Sequence, residues 1–232
     1  MKTLIIVPAY NEEGNIENVI QRIRGASSDY DIVVINDCSK DRTKEKAEAM
    51  GVPVISLPVN LGIGGAVQTG FLYAYYNGYD VALQLDGDGQ HNPEYVKDLI
   101  APIGNGEADV VIGSRFIQKK GFQSHWLRRV GIRMFQVLNN VLLRQNITDS
   151  TSGFRAYNAK AVALLQRLYP SDFPEPEALF ILKRCGFHIV EIPVEMNSRE
   201  AGVSSISGVK SLYYMIKVTT SIIIEFMRGK DG

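Results

Sequence analysis

Asp86-Gly87-Asp88-Gly89-Gln90 follows the apolar run 79–85 without a break, so two carboxylates and an amide oxygen stand on one tight turn at the end of a predicted strand. Three hard oxygen donors in that arrangement suit Mg²⁺ or Mn²⁺, and such a cation typically holds a diphosphate. Asp86, Asp88 and Gln90 are therefore candidate metal ligands in the outline of a nucleotide-sugar site. An acidic, glycine-rich surface turn has the same composition, and the elements around the turn must distinguish the two.

Those elements alternate between two periodicities. Residues 4–7, 32–35, 52–57, 81–85 and 110–112 are nearly continuous apolar runs, as expected of strands buried on both faces of a mainly parallel sheet. Between them, 14–24, 40–50, 65–77 and 93–103 are amphipathic; Gly51 and Gly78 close two of these, and Asn92-Pro93 opens another as N-cap and first-turn proline. The series reads as βαβ units with right-handed crossovers, hence an α/β fold. Ligands of such sheets gather beyond the carboxyl ends of the strands. Pro8-Ala9-Tyr10-Asn11-Glu12 follows the first strand, Asn36-Asp37-Cys38-Ser39 the second and the Asp86/Asp88 turn the fourth, so all three polar clusters fall on one edge of one sheet. Independent surface turns have no reason to converge in that way, which favours a site.

The second half is less regular. Helices are predicted at 126–144, 159–168 and 177–185, with Gly186 as a C-cap, a strand at 189–194 and a last helix at 208–227. No linker, repeat or low-complexity tract intervenes, so the expected organisation is one domain over 1–207 with a helical extension over 208–232.

The chain's 232 residues, 45% of them hydrophobic, are ample for the core of such a domain. Lys plus Arg (25) balance Asp plus Glu (25), so no global field marks the chain for nucleic acid. Cys38 and Cys185 are too few for a disulfide framework or zinc cluster and fit a reducing cytoplasm. The apolar run near Met1 is too short for a signal peptide, and no stretch reaches the roughly 18 apolar residues of a membrane span. Local charge is more telling. From Arg115 to Thr148 there are seven Lys or Arg and no acid, interleaved with Phe116, Phe122, Trp126, Met134 and Phe135. That pattern suits a membrane surface, with rings in the headgroup layer and cations on phosphate, and it equally describes a solvated helix face over ordinary core. Residues 208–227 are apolar on more than one side, which suits an interfacial helix, a dock for a small membrane-embedded partner, or a buried helix of a homo-oligomer. His91, His125 and His188 lie on different elements and suggest no histidine metal site.

With Pro8-Ala9-Tyr10-Asn11-Glu12, Asn36-Asp37-Cys38-Ser39-Lys40-Asp41, Asn60-Leu61-Gly62, the 86–91 turn, Gly113-Ser114-Arg115 and Ser152-Gly153-Phe154-Arg155 in this order, the chain resembles family 2 glycosyltransferases. Within them it is most similar to the polyisoprenyl-phosphate glycosyltransferases, the group of dolichyl-phosphate mannose synthase. The resemblance covers 3–207 and implies a GT-A fold, a nucleoside-diphosphate sugar donor, Mg²⁺ or Mn²⁺, and inversion at the anomeric carbon. On the matching positions it implies that Pro8, Ala9, Tyr10, Glu12, Asp37, Gly65, Asp86 and Arg199 bind the nucleotide sugar and that Asp86, Asp88 and Gln90 hold the metal. Arg115, Arg128 and Arg129 match acceptor-phosphate ligands, and Asp88 and Asp149 match residues at the reaction centre. Glu175 and Glu177 lie near the position of an acid that faces the acceptor side, although acids at a helix N-terminus need no such role.

The chain departs from the family at two points. The usual Asp-Asp-Gly-Ser after the second strand is here Asn36-Asp37-Cys38-Ser39, which keeps only the second acid. The membrane-spanning helices that many relatives carry after the catalytic domain have no counterpart, so peripheral attachment at the inner face of the cell membrane is expected. The leading expectation is transfer of a hexose or N-acetylhexosamine, from a UDP-sugar, to undecaprenyl phosphate or a similar lipid phosphate for a cell-surface glycan. A phosphate acceptor is already ionised near neutral pH and needs no strong base, so Asp149 would orient more than deprotonate; as a plain turn residue before the 150–152 hydroxyl run it would do neither. Two other readings stay open: direct extension of a saccharide, which does need a base, and a regulatory nucleotide-sugar-binding module without turnover.

Overall fold

The computed structural model describes residues 1–117, 147–171 and 174–197. Among these, seven strands form one sheet: β1 (Thr3–Ala9), β2 (Tyr30–Asn36), β3 (Val54–Ser56), β4 (Val81–Gln84), β5 (Val110–Ser114), β6 (Arg155–Asn158) and β7 (Ile189–Pro193). Their order is β3-β2-β1-β4-β6-β5-β7. Helices α1 (Ile16–Ala26), α2 (Thr43–Ala49), α3 (Gly62–Tyr76), α4 (Val96–Gly104), α5 (Ala159–Leu168) and α6 (Pro174–Arg184) cover its faces. The helices predicted at 126–144 and 208–227, and with them the extension 208–232, lie outside the described residues.

The continuous apolar runs form strands because both sides of the sheet are covered. Along β1, Leu4 and Ile6 enter a core with Ala66, Val67 and Phe71 of α3, while Ile5 and Val7 enter a second core with Ile16, Val19, Ile20 and Ile23 of α1. Residues two apart share a face, so an alternating polar pattern would have left one helical layer unpacked. The α3 layer comes very close to the strand: a Cβ added at Gly70 would lie 2.3 Å from Ile6 Cγ2.

The structure corrects the sequence reading at several boundaries and in one element. Helix α3 begins at Gly62 rather than at residue 65, and α2 spans only Thr43–Ala49, because residues before it form the loop that meets the end of β1. Helix α6 starts at Pro174, three residues before the predicted start. Asn92 does cap the next turn, accepting from Glu94 N, but Pro93–Tyr95 is a 3₁₀ turn that leads into α4. Strand β6 was not predicted. Its four residues, Arg-Ala-Tyr-Asn, are too short and too mixed to display a period of two, and they pair because β4 and β5 both offer them an open edge.

Strand β6 runs antiparallel to both neighbours, with Arg155 opposite Gln84 of β4 and Ile112 of β5. Its beginning therefore lies where β4 and β5 end. Residues 149–154, which lead into it, arrive at the same sheet edge as the turns after β1, β2 and β4, which the parallel pairings of those strands bring together.

Gly70→Ala should lower the unfolding free energy by about 1–3 kcal/mol, since the added methyl forces α3 away from β1. Urea denaturation at unchanged slope measures it; wild-type stability would mean that the interface relaxes freely.

Candidate active site

The turn after β4 is supported from three sides. Gln84 Nε2 donates to Asp86 Oδ1 (3.1 Å), and Asp86 N donates to His91 Nδ1 (3.0 Å). An acceptor at Nδ1 leaves the proton of the neutral ring on Nε2, 3.7 Å from Asp86 Oδ2, and the ring is stacked on Phe154 with centroids 4.8 Å apart. Asp88, 7% exposed, accepts from Gln90 N at 3.0 Å. Gly87 N donates to Pro8 O (3.2 Å), so the turn is tied to the end of β1.

Gly153 approaches the Asp86 carboxylate from the segment before β6. A Cβ there would lie 2.8 Å from Gln84 Nε2 and 3.4 and 3.5 Å from Asp86 Oδ2 and Oδ1. Only a residue without a side chain leaves that carboxylate its space. Among the described residues no group of three or more His, Cys, Asp and Glu gathers as a ready-made cation cage. Mg²⁺ and Mn²⁺ do not need one when a diphosphate supplies further oxygens, and two carboxylates on one braced turn fit that mode.

The opposite wall is built where the loops after β1 and β2 are joined. Asn11 N donates to Ser39 Oγ (3.0 Å), Lys40 N to Asn11 Oδ1 (2.8 Å) and Glu12 N to Thr43 Oγ1 (2.8 Å). Pro8 and Ala9 are buried, Tyr10 is exposed at the rim, and Glu12 Oε2 accepts from Asn15 Nδ2. Asp37 is buried with both oxygens engaged, accepting from Leu61 N (2.7 Å) and Gly62 N (2.9 Å). It caps α3, where a carboxylate meets the positive end of the helix dipole, and Gly65 lies in the first turn of that helix, against Leu61. Asn36 donates to Ser56 Oγ and accepts from Ser39 N, both at 3.2 Å. An ionised Asp could accept from the same Ser56 hydroxyl and from Ser39 N, so these contacts do not by themselves explain the departure from the family pattern. At the position of the usual glycine, Cys38 has a φ of 59°, a left-handed conformation that a side chain adopts at a cost of roughly 1–2 kcal/mol.

Arg115 and Asp149 meet beyond the end of β5. Arg115 Nε and Nη2 donate to Asp149 Oδ2 and Oδ1, both at 2.7 Å, in a two-pronged pair with Asp149 fully buried. Arg115 N and Thr151 Oγ1 also donate to Asp149, at 3.1 and 3.3 Å, so the carboxylate accepts four hydrogen bonds, about its full capacity. Burial disfavours the Arg115 charge, but Asp149, and at longer range Glu175 and Asp86, outweigh it and raise its pKa. Among the described residues, Nη1 of Arg115 has no hydrogen-bond partner.

Beneath this pair lies a second cation that the sequence reading placed in a motif but gave no role. Arg155 is fully buried and donates to Ser150 O (2.8 Å) and Glu175 O (2.7 Å), tying the segment before β6 to the start of α6. Burial pushes the Glu175 carboxyl up, while Arg155 opposes the shift. At longer range Asp86 adds to that rise and Arg115 opposes it. Gln84, His91 and Gly153 were likewise missed as site residues, since their roles follow from contacts between elements. Arg128, Arg129 and Arg199, and most of the basic aromatic segment, lie outside the described residues.

Comparison with known proteins identifies the family and the fold. Residues 4–165 match the family described as glycosyl transferase family 2. Undecaprenyl-phosphate mannosyltransferase of Micrococcus luteus is 33% identical over 90% of this chain and 88% of its own. UDP-N-acetylglucosamine–dolichyl-phosphate N-acetylglucosaminyltransferase of Methanococcus voltae is 31% identical over 95% of this chain and 97% of its own. Among solved structures, glucosyl-3-phosphoglycerate synthase from Mycobacterium tuberculosis, in complex with Mn²⁺, UDP and glucosyl-3-phosphoglycerate, superimposes with a TM-score of 0.72. That likeness, at 22% identity, covers 97% of this chain and 79% of the other and establishes the GT-A fold.

Gly153→Ala should weaken Mn²⁺ binding by about tenfold or more, because it displaces the Asp86 carboxylate and its Gln84 support. Calorimetric titration with Mn²⁺, alongside circular dichroism, measures this. Unchanged affinity in a folded variant would separate Gly153 from the metal turn.

Proposed function

The chain belongs to glycosyl transferase family 2, and from that premise we propose that this glycosyltransferase moves a hexose or N-acetylhexosamine from a nucleoside-diphosphate sugar to a polyprenyl phosphate. The observation that carries the acceptor is the Arg115–Asp149 pair. A saccharide hydroxyl must lose a proton to attack, and the carboxylate beside Arg115 has its oxygens engaged by four donors. A phosphate is already an oxyanion and needs a cation to hold it, which the planar Arg115 guanidinium suits.

In the proposed reaction an acceptor phosphate oxygen bonds to the anomeric carbon from the side opposite the leaving group. The bond from that carbon to the diphosphate oxygen breaks, its electron pair leaves on the nucleoside diphosphate, and the anomeric configuration inverts. No proton moves. Asp86 and Asp88, with Gln90, would hold Mg²⁺ or Mn²⁺, which supplies positive charge to the departing diphosphate. Pro8, Ala9, Tyr10, Glu12 and Asp37 would form the nucleotide wall, Asp37 through its hold on α3. Arg115 would bind the acceptor phosphate and Asp149 would keep it oriented.

The relatives' names spread over mannose, N-acetylglucosamine and glucose on undecaprenyl and dolichyl phosphates, which supports the acceptor class more firmly than any one sugar. A UDP-sugar remains the proposed donor and undecaprenyl phosphate the proposed acceptor. Because such an acceptor lies in a bilayer, the enzyme would work at a membrane surface, with Arg128 and Arg129 on the acceptor phosphate, Arg199 on the donor, and 208–232 as the attachment. No described helix is long and apolar enough to cross a membrane.

The test is turnover of UDP-glucose, UDP-N-acetylglucosamine and GDP-mannose with undecaprenyl phosphate and Mn²⁺. One donor should yield a lipid-phosphate sugar, and excess chelator should abolish the product. Asp88→Asn should lower turnover by about a hundredfold or more while the protein stays folded. Turnover on saccharides but not on lipid phosphate would overturn the acceptor, and full activity in chelator would overturn the metal.

A further inference from the structure

Glu191 is an ionisable residue on the edge strand β7, opposite Ile112 of β5, with no part in the chemistry described above. Its carboxylate accepts from Thr148 N at 2.7 Å on Oε2, and from Asp149 N at 2.8 Å and Thr148 Oγ1 at 3.1 Å on Oε1. Two successive backbone N–H groups and a hydroxyl thus converge on one side chain from another element. The peptide they hold carries Asp149, whose own carboxylate grips Arg115 by two prongs. Thr148 Oγ1 also lies 2.6 Å from Ser114 Oγ, immediately before Arg115, so both ends of the Arg115–Asp149 pair are joined through the same group.

We propose that Glu191 is a positioning residue for the acceptor phosphate: it sets the Thr148–Asp149 backbone, which sets the Asp149 carboxylate, which aims the Arg115 guanidinium. The geometry favours this over a merely stabilising role. β7 already pairs with β5 through Ile189–Pro193, so the sheet edge does not need these extra bonds. Burial pushes the Glu191 carboxyl up, and the donors at Thr148 and Asp149 oppose that shift. A Gln in its place offers one acceptor and one donor, and the donor would face an N–H it cannot satisfy. Loss of aim then falls on Arg115, and the nucleotide wall formed by β1, β2 and α3 is untouched.

The inference rests on Arg115 as an acceptor-phosphate ligand, and the experiment separates the two. Wild type, Glu191→Gln, Glu191→Asp, Asp149→Asn, the Glu191→Gln/Asp149→Asn double variant and Arg115→Lys are assayed with undecaprenyl phosphate and whichever of the three donors turns over. The matching nucleoside diphosphate with Mn²⁺ is titrated by calorimetry. Glu191→Gln should raise the acceptor KM by about tenfold, leave nucleotide affinity within about twofold, and add little to the defect of Asp149→Asn in the double variant. Glu191→Asp, which keeps the charge but shortens the reach by one methylene, should change KM in the same direction and serves if the Gln variant does not fold. If Arg115→Lys raises acceptor KM and both Glu191 variants leave it unchanged, Glu191 does not position the pair. A Glu191 loss spread equally over acceptor KM and nucleotide affinity would make its role structural and also overturn the inference. If Arg115→Lys leaves acceptor KM unchanged, the reading of Arg115 fails and the inference with it.

Discussion

The site depends on a reversal of direction inside a parallel sheet. Had β6 run parallel to β4 and β5, its preceding segment would sit at the opposite edge, about 10 Å or more from the metal turn, given a rise of roughly 3.3 Å per residue. Because it runs antiparallel, Gly153 lies against Asp86, Ser152 donates to Gly113 O at 2.7 Å, and Asp149 reaches Arg115. The turns after β1, β2 and β4 reach this edge as a matter of course, since parallel strands end together. The acceptor-side groups reach it only through the reversal.

Holding that segment requires buried charge, and the cations are arranged so that each meets oxygen. Arg155 is wholly buried and bonds two backbone carbonyls; Arg115 meets a carboxylate squarely. Pairs of this kind add little net stability, because desolvation cancels much of the attraction, but removing one partner leaves the other charged and stranded. Here they tie residues 149–155 to the end of β5 and to the start of α6.

The proposed nucleotide wall works on a different principle, with acids and amides spent mainly on backbone donors. Asp37 engages the first N–H groups of α3, and Asn36 ties β2 to β3 and to its own turn. These residues shape the wall before any ligand arrives, in keeping with a site whose electrostatics are set in advance. The motif Asn36-Asp37-Cys38-Ser39 is therefore partly architecture. Within it Asn36 bonds Ser56 and Ser39, and Cys38 adopts a positive φ.

The sequence by itself determined the α/β class, the family and the convergence of three polar turns on one sheet edge. Apolar runs buried on both faces have a recognisable pattern, and the polar clusters that follow β1, β2 and β4 must share an edge once those strands are parallel. The proposed metal turn was legible as a candidate as well, because Asp86 and Asp88 stand two residues apart on one loop and need no partner from elsewhere to be noticed. What only the tertiary structure decided are relations across long separations. Strand β6 carries no periodic signal in four residues, so neither its direction nor the approach of Gly153 to Asp86 could be read from the chain. His91 behind Asp86, Gln84 beneath it and Glu191 beneath Asp149 are ordinary polar residues by composition. Their roles arise from hydrogen bonds between elements, whose partners the chain's local pattern does not encode and the packing of the sheet alone brings within reach.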